Sequence, residues 1–214
     1  MDIVIAGGHG QIAMLVYPLL KERGHRVRGL IRNADHAGDL SAAGAEPVIC
    51  DLEQEADLSR FVEGADAVVF AAGAGPGSGA ARKWTVDRDG ALKLIDAAKR
   101  QGIDRYVMIS AMNVEQPYGD EVFRTYQQAK AEADAALRES GLAYTIIRPG
   151  RLTNDVPTGR VAAAADLPAG AIPRADVAAV VAEVLDVPET AGKQFDVTSG
   201  EQLIDEAIRG VAGS

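Results

Sequence analysis

Apolar, β-branched runs recur along the chain, starting at Asp2 (DIVIA), Arg26 (RVRGLI), Glu46 (EPVIC), Asp66 (DAVVFAA), Arg105 (RYVMIS) and Ala143 (AYTIIRP), with a weaker one at Lys193 (KQFDV). Each reads as a strand. Between them the apolar positions take a helical period over 11–23, 34–43, 56–63, 85–100, 122–140, 176–185 and 202–209. Strands that are apolar throughout must be covered on both faces, and parallel neighbours need a crossover between them. The pattern therefore predicts an α/β, doubly wound parallel sheet. Gly24, Gly102 and Gly141 follow helical stretches and suit the left-handed turn that closes a helix. No repeat or linker divides the chain, so residues 1–214 are expected to form a single domain.

Two stretches break the alternation. AGAGPGSGA, from Ala72, is glycine-rich directly after an apolar strand, and 152–175 carries Pro157, Pro168 and Pro173 with few helix signals. In doubly wound sheets ligands sit beyond the carboxyl ends of the strands. Segments of about 74–83, 112–122 and the short C-terminal stretch 152–175 are therefore the expected substrate side.

The first strand runs straight into AGGHGQIA, which reads as GxGxxA on Gly8, Gly10 and Ala13 or as GxxGxxA on Gly7, Gly10 and Ala13. Either reading describes a tight turn whose backbone approaches a diphosphate, with unpaired N–H groups of the next helix aimed at it. The stretch Gly7, Gly8, His9, Gly10, Gln11 and Ile12 is thus the expected phosphate cradle. His9 reads as a loop residue, since His25 and His36 stand at no metal-ligand spacing and no metal is expected. The second strand closes on Arg32 and Asn33, with no acid before Asp35. A free ribose is usually gripped by an acid there and a 2′-phosphate by a base, so NADP is expected over NAD. The competing reading of Arg32 is a solvated strand end. Asp51, beside Leu52, reads either as an acceptor for the adenine amino group or as a helix N-cap. Ala71, Ala72 and Gly73 are small enough for the sheet end to lie against ribose and nicotinamide.

Tyr126 and Lys130 stand at i and i+4, one turn apart on one helical face. A phenol titrates near 10, so proton exchange at neutral pH requires a neighbouring cation to stabilise its anion. Lys130 is expected in that role, and also as a ligand of the ribose hydroxyls. Ser110 ends the fifth strand and is expected to assist polarisation of the substrate.

With AGGHGQIA and Arg32, VVFAAGAG, YVMIS, the Tyr126–Lys130 pair, YTIIRPG and IPRADVA, nearly the whole chain resembles the short-chain dehydrogenase/reductase superfamily. It is most similar to the atypical, NmrA-like or epimerase-like members with a Rossmann fold. The resemblance implies that Arg148, Pro149 and Gly150 leave the sixth strand beside the nicotinamide, and that Arg174 and Asp176 begin a late structural helix. The chain departs from that pattern in two places. Counting against extended members puts Met112 or Asn113 nearer the serine's place than Ser110, and Asp87 and Asp89 stand where an asparagine is usual. Lys83 and Trp84 are expected to border the pocket.

Composition narrows the partners. A formal charge of −9 on 214 residues argues against a surface that neutralises phosphate backbones, so no nucleic acid is expected. A single cysteine, Cys50, a start without a basic and apolar leader, and no apolar run near the bilayer-spanning length of about 20 residues point to a cytoplasmic protein without a membrane partner. The expected function is an NADP-dependent oxidoreductase acting on a small carbonyl, quinone or flavin-like substrate, as monomer or homodimer. The alternatives are a non-catalytic NADP-binding redox sensor and a nucleotide-sugar epimerase or dehydratase. Only 64 residues follow Gly150 (214 − 150), which favours a small-molecule substrate.

Overall fold

A computed structural model of the chain describes residues 1–75 and 77–213. The six strong apolar runs become β1 (Asp2–Ala6), β2 (Arg26–Ile31), β3 (Glu46–Ile49), β4 (Ala67–Phe70), β5 (Arg105–Ile109) and β6 (Ala143–Pro149). They pair in parallel in the order β3-β2-β1-β4-β5-β6, the doubly wound arrangement in which strand order reverses between β1 and β4.

Beyond Pro149 come β7 (Arg151–Thr153), β8 (Arg160–Ala164), β9 (Ala171–Pro173), β10 (Lys193–Ser199) and β11 (Gln202–Leu203). β10 adds to β6 in parallel, whereas β8 runs antiparallel to β10 and β11 antiparallel to β8. The doubly wound parallel sheet expected from the sequence is present, and β8 and β11 extend it antiparallel at this edge. Four of these strands are two to five residues long and lie among prolines and glycines, too short for an alternation to register. β7 and β9 form a separate two-stranded pair.

The helices are α1 (Gln11–Glu22), α2 (Ala37–Ala43), α3 (Ser59–Val62), α4 (Gly79–Arg82), α5 (Asp89–Gln101), α6 (Glu121–Glu139), α7 (Arg174–Asp186) and α8 (Ile204–Ala212). They cover both faces of the sheet, and β1 shows how. Ile3 and Ile5 face a core filled from α1 (Val16, Tyr17, Leu20), α7 and α8. Val4 and Ala6 face a second core filled from α3, α5 (Leu94, Ile95) and α6 (Ala133, Leu137). Alternate residues of one strand thus serve opposite layers. The helix expected over 85–100 begins earlier, because α4 runs into α5 through a π-helical turn at Lys83–Arg88. Among the described residues no helix is long and apolar enough to cross a membrane.

Candidate functional site

At the switch point the chain leaves β1 and β4 on neighbouring paths. Gly7 has φ +83°, and a Cβ there would lie 2.5 Å from Ala72 Cα, so the two loops touch with no room for a side chain. The loop is anchored from below by the Tyr17 hydroxyl, which donates to the Gly8 carbonyl at 2.6 Å. α1 then starts at Gln11 with no side-chain cap and no acidic residue in its first turn. The leading amides of α1 thus have no side-chain acceptor and carry the positive end of the helix dipole. That is the donor set a diphosphate requires.

Two cavities open here. One, of about 290 Å³, is lined by Gly7, Gly8, His9 and Gly10, by Arg32, by Asp51, Leu52 and Glu53, and by Ala71, Ala72 and Gly73. The other, of about 620 Å³, is lined by Gln11, Ile12, Lys83, Asp87, Ser110, Phe123, Tyr126, Lys130, Leu152 and Arg174 among others. They share Gly10 and Ala71–Gly73, so they are continuous across the sheet end. A dinucleotide's two halves fit such a pair.

In the smaller cavity Arg32 is 58% exposed at its side chain and stands 3.8 Å from Glu53. Glu53 is gripped by Arg82 at 2.6 Å and by the Thr85 hydroxyl at 2.7 Å. The Arg82 guanidinium holds its carboxyl below the usual range. The sequence offers no acid after β2 before Asp35, but the fold delivers Glu53 to Arg32 from the next loop. Asp51 lines the cavity and its Oδ1 accepts the Glu53 amide, closing the turn after β3. The His9 ring stacks on His36 with centroids 3.7 Å apart and reaches Asp39 at 2.8 Å. Asn33 lines neither cavity; its Oδ1 accepts the Asp35 amide and caps a short 3-10 turn, which is a structural role.

In the larger cavity Tyr126, Lys130 and Asp134 form a stripe on α6. Lys130 Nζ donates to the Ile109 carbonyl at 3.1 Å and the Ala72 carbonyl at 3.4 Å, and lies 3.7 Å from Asp87 Oδ1. Its charge is balanced by Asp87, not directed to the phenol. The expected lowering of the Tyr126 pKa is therefore corrected: burial pushes it up, and Asp87 and Asp134 push it further. Ser110 is the serine that reaches the cavity; Met112 and Asn113 do not line it. Its hydroxyl donates to the buried Asp134 at 2.9 Å, leaving only lone pairs for the cavity. The expectation that Ser110 polarises a substrate oxygen is corrected for that reason. Asp134 also accepts from Arg148 Nε and Nη2 at 3.2 and 3.1 Å, and Arg148 extends to Glu115.

Pro149 and Gly150 line neither cavity. Pro149 is paired with Val197 in the sheet, and a Cβ on Gly150 would lie 2.5 Å from the Gly170 carbonyl, so both serve the β6–β10 edge. Arg174 heads α7 and lines the larger cavity, while Asp176 accepts the amides of Thr158 and Gly159 and ties that loop down. Trp84 lines neither cavity and carries the Arg88 guanidinium 4.7 Å over its ring. Of the segments expected on the substrate side, 75, 77, 83, 120, 122, 152 and 174 belong to or adjoin them and line this cavity; Pro76 lies outside the described residues. Glu53, Arg82, His36 and Asp134 were not singled out by sequence reasoning. Asp134 had a signal, its spacing of four from Lys130, and Arg82 had its place in the glycine-rich segment 74–83; His36 had none.

A family model for NAD(P)H-binding proteins matches residues 7–188. The chain is 40% identical to a protein of Bacillus subtilis named the uncharacterized sugar epimerase YhfK, over 98% of this chain and 99% of that one. It is 27% identical to sanguinarine reductase of Eschscholzia californica, over 98% and 93% of the two chains. A solved Bacillus halodurans structure named for NAD-dependent epimerases/dehydratases superposes with a TM-score of 0.93 at 37% identity, covering 98% of this chain and 99% of that one. With the match running from the glycine loop through α7, the chain belongs to the NAD(P)H-binding family.

Proposed function

We propose that the protein is an NADP-dependent reductase that passes hydride to a small carbonyl, quinone or flavin-like acceptor. The observation that carries this reading is the continuity of the two cavities across Gly10 and Ala71–Gly73, with an uncapped helix start facing them. Residues 7–12 would hold the diphosphate, Asp51 and Leu52 the adenine side, and Arg32 with Arg82 the 2′-phosphate. Ala71–Gly73 and Lys130 would hold the nicotinamide riboside. When bound, the dinucleotide supplies or takes the hydride. The protein's own part is to keep Lys130 fixed at the strand ends, to close the cavity with Phe123 and Leu152, and to offer the Tyr126 hydroxyl as a neutral donor. A phenol whose pKa is raised keeps its proton at neutral pH and acts by hydrogen bonding. The name of the 27% identical sanguinarine reductase accords with a reductase.

The test is a fluorescence titration with NADPH and NADH, followed by NADPH consumption against quinones, flavins and aldehydes. NADPH should bind about tenfold or more tightly than NADH, a difference of about 1.4 kcal/mol. Tyr126→Phe should slow turnover on the active acceptor by about tenfold or more, the lower side of what a positioned donor contributes. Binding of neither dinucleotide overturns the reading. The 40% identical relative named as a sugar epimerase supports one rival: epimerisation of a nucleotide sugar with no net NADPH consumption would favour it.

A further inference from the structure

Besides the Tyr126 hydroxyl, the walls of the larger cavity carry four cationic or hydroxyl groups: Ser110, Lys130, Arg174 and Lys83. The Ser110 hydroxyl donates its hydrogen bond to Asp134. Lys130 donates to two carbonyls and faces Asp87. Arg174, only half-buried, donates one of its five N–H groups to Asn154 Oδ1 at 2.9 Å and is solvated for the rest. Lys83 differs. Its residue is 7% exposed, and among the described residues its Nζ has one hydrogen bond, to the Gly75 carbonyl at 2.7 Å. The ammonium also lies 5.6 Å over the Tyr126 ring, and among the described residues it forms no ion pair.

An ammonium carries three donors, and burying one without a counter-charge is unfavourable. Each nearby carboxylate has another partner, although among the described residues the buried Asp87 Oδ1 accepts no hydrogen bond. Asp87 accepts the Ala74 amide through Oδ2 and faces Lys130 through Oδ1, and Asp120 accepts the Phe123 amide as the cap of α6. A chain of net charge −9 offers no general attraction for anions, so a buried cation left over in a cavity is a local feature. The π-helical turn that places Lys83 and Asp87 on the same cavity is itself a kind of distortion concentrated at functional sites. Phe123 and Tyr126 supply a stacked aromatic wall beside it, with centroids 5.9 Å apart and planes 25° from parallel.

We propose that Lys83 is the oxyanion-binding group of this cavity, receiving a carboxylate or phenolate-type oxygen of a planar ligand that lies against Phe123 and Tyr126. The group acts through charge-assisted hydrogen bonds, which are the strong ones. The proposal deepens the reductase reading, since an acceptor oxygen that gains charge during reduction would be held by the same group. It does not depend on that reading for its test.

Benzoate, a planar oxyanion that no hydride can reduce under these conditions, is titrated calorimetrically into the protein with and without NADP+. The wild type is compared with Lys83→Met, Lys83→Gln and Lys83→Arg. The native chain should bind benzoate, the Met and Gln variants about tenfold or more weakly, and the Arg variant within about threefold of native. Unchanged circular dichroism and thermal unfolding identify the variants that have kept the fold. Native-like benzoate affinity in Lys83→Met and Lys83→Gln, or no benzoate binding by the native chain, overturns the proposal. Failure of every acceptor to consume NADPH would count against the reductase reading alone, because the titration requires no hydride transfer.

Discussion

Arg32 and Glu53 bring opposite charges to the place where a 2′-phosphate would lie. At 3.8 Å, with Arg32 more than half exposed, their direct attraction is worth little. Glu53 owes its position to Arg82 and Thr85 instead. A phosphate there gains from Arg32 and Arg82 and is opposed by Glu53. Arg32→Asp should therefore weaken NADPH by about tenfold or more while sparing NADH, and Glu53→Gln should strengthen NADPH by about threefold. Fluorescence titration of both dinucleotides reads the ratio; a ratio unmoved by either substitution removes this pair from coenzyme choice. Arg32 was legible because it directly follows β2, at the strand end where the proposed ribose would sit. Glu53 was not, because it arrives from the next crossover, and only strand order makes the two loops neighbours.

At the scale of elements, α6 carries the stripe Tyr126, Lys130 and Asp134, and its start is set by Asp120, whose Oδ1 accepts the Phe123 amide at 2.8 Å. Loss of such a cap costs about 1 kcal/mol. Asp120→Ala should lower unfolding free energy by about that amount in urea, with the slope unchanged. A loss near zero would mean that water or a neighbouring group replaces the cap. The stripe was readable, since a helical period brings every fourth residue to one face. The π-helical turn before α5 was not. Over six residues its wider winding leaves no hydrophobic period to detect, so the expected helix began at Thr85, inside the turn. That turn decides which side chains enter the larger cavity, and Lys83 among them.

Across the whole molecule, two cores on opposite faces of one sheet bury phenols that titrate differently from free ones. Tyr17 and Tyr106 are fully buried, and burial pushes both pKa values up. Burial also raises the Cys50 thiol to about 12. A tyrosine that stays protonated when folded but ionises near pH 10 when unfolded adds stability that is complete below pH 10 and lost as pH rises toward its folded value. Each such phenol should reduce unfolding free energy by about 1.4 kcal/mol per pH unit above about 10. Urea unfolding between neutral and alkaline pH tests this. Tyr17→Phe should make the alkaline slope shallower, at the expense of neutral-pH stability because the Gly8 carbonyl loses its donor. An unchanged slope would mean that Tyr17 does not take part.

Local pattern was enough to place β1 to β6, their crossovers and the glycine turn, because strand alternation, helical period and left-handed backbone are properties of a few consecutive residues. It also named Arg32, Lys130 and Ser110 as residues near the sheet end. What each of these does was decided by long-range neighbours: Asp134 accepts the Ser110 hydrogen bond, Asp87 balances Lys130, Glu53 meets Arg32, and β10 pairs with Pro149 and receives the Gly150 amide. Charge and hydrogen bonding act across space between groups far apart in the chain, so a residue's chemistry followed from the packing, while its address followed from the sequence.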